Sequence, residues 1–390
     1  MTTTPRRARA PRQSDVARLA GVSQSAVSRV IGGDTDTARI PEATVRRIQE
    51  AVKELGYVPN PTARKLRTGR NRMLGVHTFE AVFPRAREDF YFEFLLGIEE
   101  RAEEIDHDLV LFTSTGGSDG RRRVYRDGVN RLNVADGAVL LGVAADRAEL
   151  ARLEADGYPF VHIGRREVPG TRITCVVPDY ESAAAAIVDR LADLGHERIA
   201  YLRAGIDEES YADRRRGYES AVARRGLRDL SPERPGLAGA GLDAAGPGSA
   251  GSDSSGPDTA GPDTAASGTA GTGTAWLDAV ADGAVTAVVA DAEWLANPLA
   301  ERLAERGLTV PRDVSVAVLE GVGPDAAVQW DCLQIPRREV GRLAIDTLVG
   351  LLDEPGTPVA DVLVPCVVVE GETVAAPPSG SPAPTKGSSA

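Results

Sequence analysis

Residues 15–33 read DVARLAGVSQSAVSRVIGG, and the placement of small and apolar side chains within them is demanding. Ala17 stands four residues before Gly21, and Val27 six after it. That spacing is the helix-turn-helix arrangement: a small residue where two helices touch, glycine in the tight turn, a β-branched residue in the crossing. Val16, Ala20, Val22, Val27 and Val30 can all point into one small core. Ser23 is a natural N-cap, its hydroxyl accepting a backbone N–H in the first turn, so the second helix is expected from about Ser23 to Gly32 or Gly33. A third helix follows in PEATVRRIQEAVKELGY, residues 41–57, where Val45, Ile48, Val52 and Leu55 make one apolar stripe. Pro41 marks its first turn and Gly56 its end.

The chain of 390 residues carries a formal net charge of -12, which would argue against a polyanionic partner if it were evenly spread. It is not. Residues 1–70 hold 14 Arg and Lys against 6 Asp and Glu, a charge of +8, so the remaining 320 residues carry -20. A basic head on an acidic body suits a head that binds phosphate. Residues 1–12, with Arg6, Arg7, Arg9 and Arg12 among Pro and Ala, read as a disordered basic arm. Residues 15–58 are too strongly patterned for that reading.

In the body, short β-rich runs alternate with stretches of helical period. The runs are MLGVHTF, DLVLFT, GAVLLG, FVHIG, TCVV, RIAYL, AVVA and VSVAVL; the helical stretches include YFEFLLGIEERAEE, YESAAAAIVDRLADLG and ANPLAERLAERG. This alternation implies parallel sheets with crossover helices, and ligands of such sheets bind at the carboxyl ends of the strands. Residues 231–275 break the pattern: from Gly236 to Ala275 all but Leu237 and Leu242 are Gly, Ala, Pro, Ser, Thr or Asp, and GPDTA repeats in tandem from Gly256. Such a segment buries too little apolar surface to balance its ordering entropy and is expected as a disordered insertion. The tail, residues 377–390, is expected to be disordered as well.

Several classes are excluded or disfavoured. No apolar run approaches the roughly 18 to 20 residues of a membrane-spanning helix, and the basic start is followed by no apolar stretch of a secretory signal, so a cytoplasmic location is expected. Cys175, Cys332 and Cys366 are far apart and form no metal-ligand spacing, and His77, His107, His162 and His196 are scattered, so neither a metal nor any other cofactor is expected. No Gly-x-Gly-x-x-Gly opens a helix after a strand, and no Walker loop or Gly-x-Ser-x-Gly elbow occurs, so no catalytic residue is assigned and the chain is read as a non-enzyme.

DVARLAGVSQSAVSRV, then ELGYVPNPTARKLRTGR, then LGV with LLGIEERAEE together resemble the lactose/galactose repressor (LacI/GalR) family of bacterial transcription regulators. The resemblance runs to about residue 374, most specific in the head and linker. It implies an α-helical helix-turn-helix DNA-binding head, residues 13–58; a hinge, residues 59–71; and a two-lobed α/β domain like the type I periplasmic sugar-binding proteins, residues 72–376, for effector binding and dimerisation. The second helix would then lie in the major groove, with Gln24, Ser25 and Arg29 reading base edges and Ser23 and Ser28 serving phosphates. In the hinge, Leu66 would wedge into the minor groove, with Ala63 and Arg67 beside it. The effector pocket would use Phe90, Tyr91, Asp179, Arg214 and Glu293. Arg214 matches the family's Arg three residues before Gly-Tyr; Glu293 and Glu320 stand where the family has Asp. Arg12, Pro41, Gly32 and the longer loop DTDTAR also depart from the family's head.

The expected function is a homodimeric repressor of carbohydrate-related genes on a palindromic duplex operator, controlled by a small-molecule effector, a carbohydrate by resemblance. Control by a protein partner, or by none, remains open at this point. A sugar-binding protein or enzyme on the same fold is the remoter alternative.

Overall fold

The computed structural model describes residues 11–32, 40–57, 70–79, 90–114, 122–142, 145–234, 236, 272–321, 327–357 and 359–378. The chain divides into two compact units, Met1–Met73 and Leu74–Ala390.

The first unit contains α1 (Gln13–Ala20), α2 (Gln24–Gly32) and α3 (Glu42–Leu55). Gly21 takes the left-handed conformation at φ 65°, and Val22 N–H returns to the Ala17 carbonyl at 3.0 Å, which closes the turn. Ser23 caps α2, its hydroxyl accepting from Ala26 N–H at 3.2 Å. Gly56, at φ 59°, ends α3. Val16, Ala17, Ala20, Val27, Ile48 and Ala51 are buried together, with Val22, Val30, Val52, Leu55 and Tyr57 packed around them. Arg12, expected within the arm, is already the residue preceding α1: its N–H donates to the Asp15 carboxylate at 2.9 Å. The hinge residues Ala63, Leu66 and Arg67 lie outside the described residues.

The second unit is two α/β lobes. In chain order it runs β1 (Met73–Thr78), α4 (Phe92–Glu104), β2 (Asp108–Phe112), the hairpin β3 (Tyr125–Arg126) and β4 (Val129–Asn130), β5 (Gly137–Leu141), α5 (Arg147–Ala155), β6 (Phe160–Ile163), β7 (Cys175–Asp179) and α6 (Tyr180–Asp193). It continues with β8 (Arg198–Leu202), α7 (Glu209–Arg225), β9 (Arg228–Asp229), α8 (Thr272–Ala281), β10 (Ala287–Ala290), α9 (Glu293–Glu305), β11 (Ser315–Val318), β12 (Asp331–Gln334), α10 (Arg337–Asp353), β13 (Val362–Pro365) and β14 (Val367–Val369).

The first lobe is built on a sheet of order β13-β7-β6-β5-β1-β2 and the second on β14-β12-β11-β10-β8-β9. In the first, Leu74–Thr78 run parallel to Gly137–Leu141; in the second, Ala287–Ala290 run parallel to Ile199–Leu202, and β14 alone is antiparallel to its neighbour β12. Central strands such as GAVLL are buried throughout because helices cover both faces. Among the described residues the chain crosses between the sheets three times: from β7 through α6, from β12 through α10, and at Cys366 between β13 and β14. In the first lobe α4 crosses α10 where Gly97 meets the Arg338 backbone and Gly341 meets the Phe94 backbone; a Cβ on either glycine would collide with main chain.

The boundaries of the low-complexity insertion differ from expectation. Ser231 hydroxyl accepts from Tyr201 N–H at 2.7 Å, Pro232 is buried, and α8 begins at Thr272, because Trp276 and Leu277 are buried in the second lobe and draw the preceding turn into helix. Residues 237–271 lie outside the described residues. Pro377, expected in the tail, is described beside Gly195, and Asn71, expected in the hinge, is buried and accepts from Met73 N–H at 2.9 Å. Among the described residues no helix is long and apolar enough to cross a membrane.

Candidate functional sites

On α2, Val27 turns inward while Gln24, Ser25 and Arg29 are exposed and Ser28 is half-buried. Spacings of one, four and five residues put these four side chains on the face opposite the core. Ser23 and Ser25 hydroxyls stand 2.9 Å apart at the N-terminal end of this face. Arg18 on α1 and Arg46 on α3 are also exposed, so the unit offers a short polar helix with cations on the neighbouring helices. An amide, hydroxyls and a guanidinium on such a helix can donate to base edges and phosphate oxygens.

The second site lies between the lobes, where strand ends meet the crossings. Arg214, 4% exposed on α7, donates from Nη1 to the Asp291 carbonyl at 3.0 Å. Its guanidinium lies 4.7 Å from the centre of the Tyr180 ring and 5.0 Å from that of Tyr211. The Asp291 carboxylate is used internally, accepting from the Tyr201 hydroxyl and from Ala204 N–H at 2.7 Å. Burial opposes the charge on Arg214, but Tyr180, Glu320, Asp291 and Tyr211 outweigh it and raise the pKa. At the start of the last crossing helix the Arg337 guanidinium sits 4.5 Å over the Phe90 ring, and Phe90 meets Tyr91 edge-on at 5.2 Å. Burial raises the Glu320 pKa against the opposing pull of Arg214 and Arg337, while Glu293 and Asp291 push it the same way as burial.

Phe90 and Tyr91 thus stand beside Arg337, and Arg337, Arg214 and Glu293 all act on Glu320, Glu293 as the first residue of α9 with Asn297 Nδ2 at 3.5 Å from its Oε1. Asp179 ends β7 near the same crossing, but one of its oxygens caps α6, accepting from Ser182 N–H at 3.0 Å. Sequence reading did not single out Arg337, Tyr180, Tyr211 or Asp291. Each sits at a strand end or just inside the following helix, and that position was the available signal.

Three family models match successive parts of the chain: "Bacterial regulatory proteins, lacI family" over residues 14–60, "Periplasmic binding proteins and sugar binding domain of LacI family" over 76–234, and "Periplasmic binding protein-like domain" over 188–374. The chain belongs to the lacI family of bacterial regulatory proteins. Among curated relatives of this lacI-family chain, the HTH-type transcriptional regulator CelR of Thermobifida fusca is 32% identical over 222 residues, 57% of this chain and 64% of CelR. The maltose regulon regulatory protein MalI of Escherichia coli is 32% identical over 214 residues, 55% of this chain and 59% of MalI. The chain therefore spans less than two thirds of the length of these relatives in alignment. A crystal structure of the Lac repressor dimer bound to operator and the anti-inducer ONPF is 20% identical with a TM-score of 0.64, covering 94% of this chain and all of that one, which shows the shared fold.

Proposed function

We propose that this lacI-family protein is a sequence-specific DNA-binding transcriptional regulator, acting as a homodimeric repressor whose operator affinity is set by a small carbohydrate-like effector in the inter-lobe cleft. The observation that carries the reading is the pairing of a solvent-facing Gln24, Ser25, Arg29 helix with a two-lobed body whose cleft buries Arg214 among aromatic rings. Gln24 and Arg29 would read base edges, Ser23 and Ser28 phosphates, and the hinge residues Ala63, Leu66 and Arg67 the centre of the operator. Phe90, Tyr91, Asp179, Arg214 and Glu293 would hold the effector. Effector binding would shift the population between lobe arrangements and so the fit of a dimer to its two half-sites. No chemical step is required of any residue, in keeping with a regulator and not an enzyme, working in the cytoplasm beside the chromosome.

The test is selection of random duplexes by the full-length protein at near-physiological salt, followed by titration of the recovered sequence at several salt concentrations. The expected result is a palindrome bound with an affinity that falls steeply with salt, as several phosphate contacts demand. Arg29→Ala should relax preference at one position in each half-site while leaving the salt slope nearly unchanged. Recovery of no motif would overturn the reading.

A further inference from the structure

The Arg337 guanidinium opens α10 at the second crossing between the lobes. Its central carbon lies 4.5 Å from the centre of the Phe90 ring, a cation–π contact that supplies no oxygen acceptor to its N–H donors. Its Nε is enclosed without a hydrogen-bond partner among the described residues, and the same holds for Nε of Arg214. A buried donor without an acceptor is unfavourable until something supplies one. Glu320 is the carboxylate with the largest electrostatic influence on Arg337, yet it is shared with Arg214. The two guanidinium groups also belong to opposite walls. Helix α10 packs its Val340, Ala344 and Leu348 into the first lobe's core, whereas α7 packs its Tyr218 and Ala221 into the second.

We propose that Arg337 is the second effector-holding guanidinium of the cleft, so that the effector is a polyoxygenated small molecule with oxygen acceptors at two separated positions, one for Arg214 and one for Arg337. This rests on the reading of the cleft as the effector site. A ligand with acceptors at one end only leaves one buried N–H unsatisfied and binds more weakly. A ligand that satisfies both ties the two lobes together through its own length, which is how occupancy would reach the lobe arrangement. The acceptor at Arg337 is a sugar hydroxyl or a carboxylate, since either oxygen can accept from a guanidinium N–H.

The experiment is calorimetry on the full-length protein with D-glucose, cellobiose, maltose, D-ribose, D-gluconate and D-glucuronate, repeated on Arg337→Met and Arg337→Gln. Wild type is expected to bind at least one of these, and Arg337→Met to bind that compound roughly 10- to 100-fold more weakly with an unchanged melting temperature. Arg337→Gln keeps two donors without the charge: it should retain most of the affinity for a neutral sugar and lose that for a sugar acid, which separates the two acceptors. A deoxy analogue lacking the contacted oxygen should bind wild type and Arg337→Met alike, a result that a merely structural role for Arg337 would not produce. Unchanged affinity in a folded Arg337→Met protein overturns the assignment of Arg337 and leaves the cleft reading standing. Should wild type bind nothing in the panel, the reading of the cleft falls, and the assignment with it. If Arg337→Met fails to fold, the Arg337→Gln arm decides by the same criteria.

Discussion

His77 lies on β1 with no exposed surface, its ring edge-on to Phe79 at 4.9 Å and neither nitrogen hydrogen-bonded among the described residues. Burial, then the charges of Arg131 and Arg122, lower its pKa to about 4. In the unfolded chain the same imidazole titrates near 6.5. Below that pH the unfolded state takes a proton that the folded state refuses. The stability associated with neutral His77 is therefore complete above about pH 6.5 and is lost as the pH falls toward 4, by about 3 kcal/mol in all at ~1.4 kcal/mol per unit. His77→Phe should fold as well at pH 7 and lose about that much less between pH 7 and 4 in urea titrations. His162, held near 3 chiefly by burial, and His196, also lowered by burial, will keep some acid sensitivity in the variant. Identical pH dependence of the two proteins would show that His77 contributes none of it.

Helices α4 and α10 show what residue type imposes on an element. Gly341 has no space for a side chain against the Phe94 carbonyl, while Gly350, two and a half turns on in the same helix, faces open space. Gly350→Ala should stabilise by up to about 1 kcal/mol through helix propensity alone. Gly341→Ala gains the same propensity but forces the helices apart, with a net loss of about 2 kcal/mol or more. Paired unfolding curves check both, and equal behaviour of the two variants would mean that the crossing is loose. The helices and central strands were legible in the sequence because their patterns are long: GAVLL and RIAYL read as buried strands, and the Ala17, Gly21, Val27 spacing placed the head. Strands β12, β13 and β14 were not, since DCLQ, VLVP and VVV are short, alternate little, and owe their extended form to pairing with distant partners such as Val176–Asp179. The cleft was half legible for the same reason. Arg214 is marked by its local motif, whereas the place of Arg337 depends on the crossing from β12 into α10, which no local pattern reports.

The two lobes are also joined through space by an ionic cluster beside the cleft. Glu209, 6% exposed at the start of α7, accepts from Arg147 at 3.1 Å, from Arg166 at 3.1 Å and from Glu167 N–H at 3.0 Å, all three on the first lobe. Asp213, one turn on, accepts from Arg165 Nε at 3.1 Å. Arg214 is the next residue, so a ligand that displaces Arg214 also displaces the helix turn that holds this cluster. The pair Arg166–Glu209 is nearly solvent-free, with side chains 7% and 6% exposed, and salt screens such pairs far less than exposed ones. Breaking a buried pair on one side leaves an uncompensated charge, which costs about 3 kcal/mol or more. Glu209→Gln keeps the shape and removes the charge, so it should lower stability by that order. It should also speed amide exchange at residues 165–167 and the first turn of α7, while exchange in the strand cores β5 and β10 stays as in wild type. Loss confined to those two segments would identify the cluster as the contact that holds the lobes at their present separation. Exchange that rises evenly through both lobes would instead assign Glu209 to general stability, and the coupling of Arg214 to lobe movement would then have to run through the three chain crossings alone.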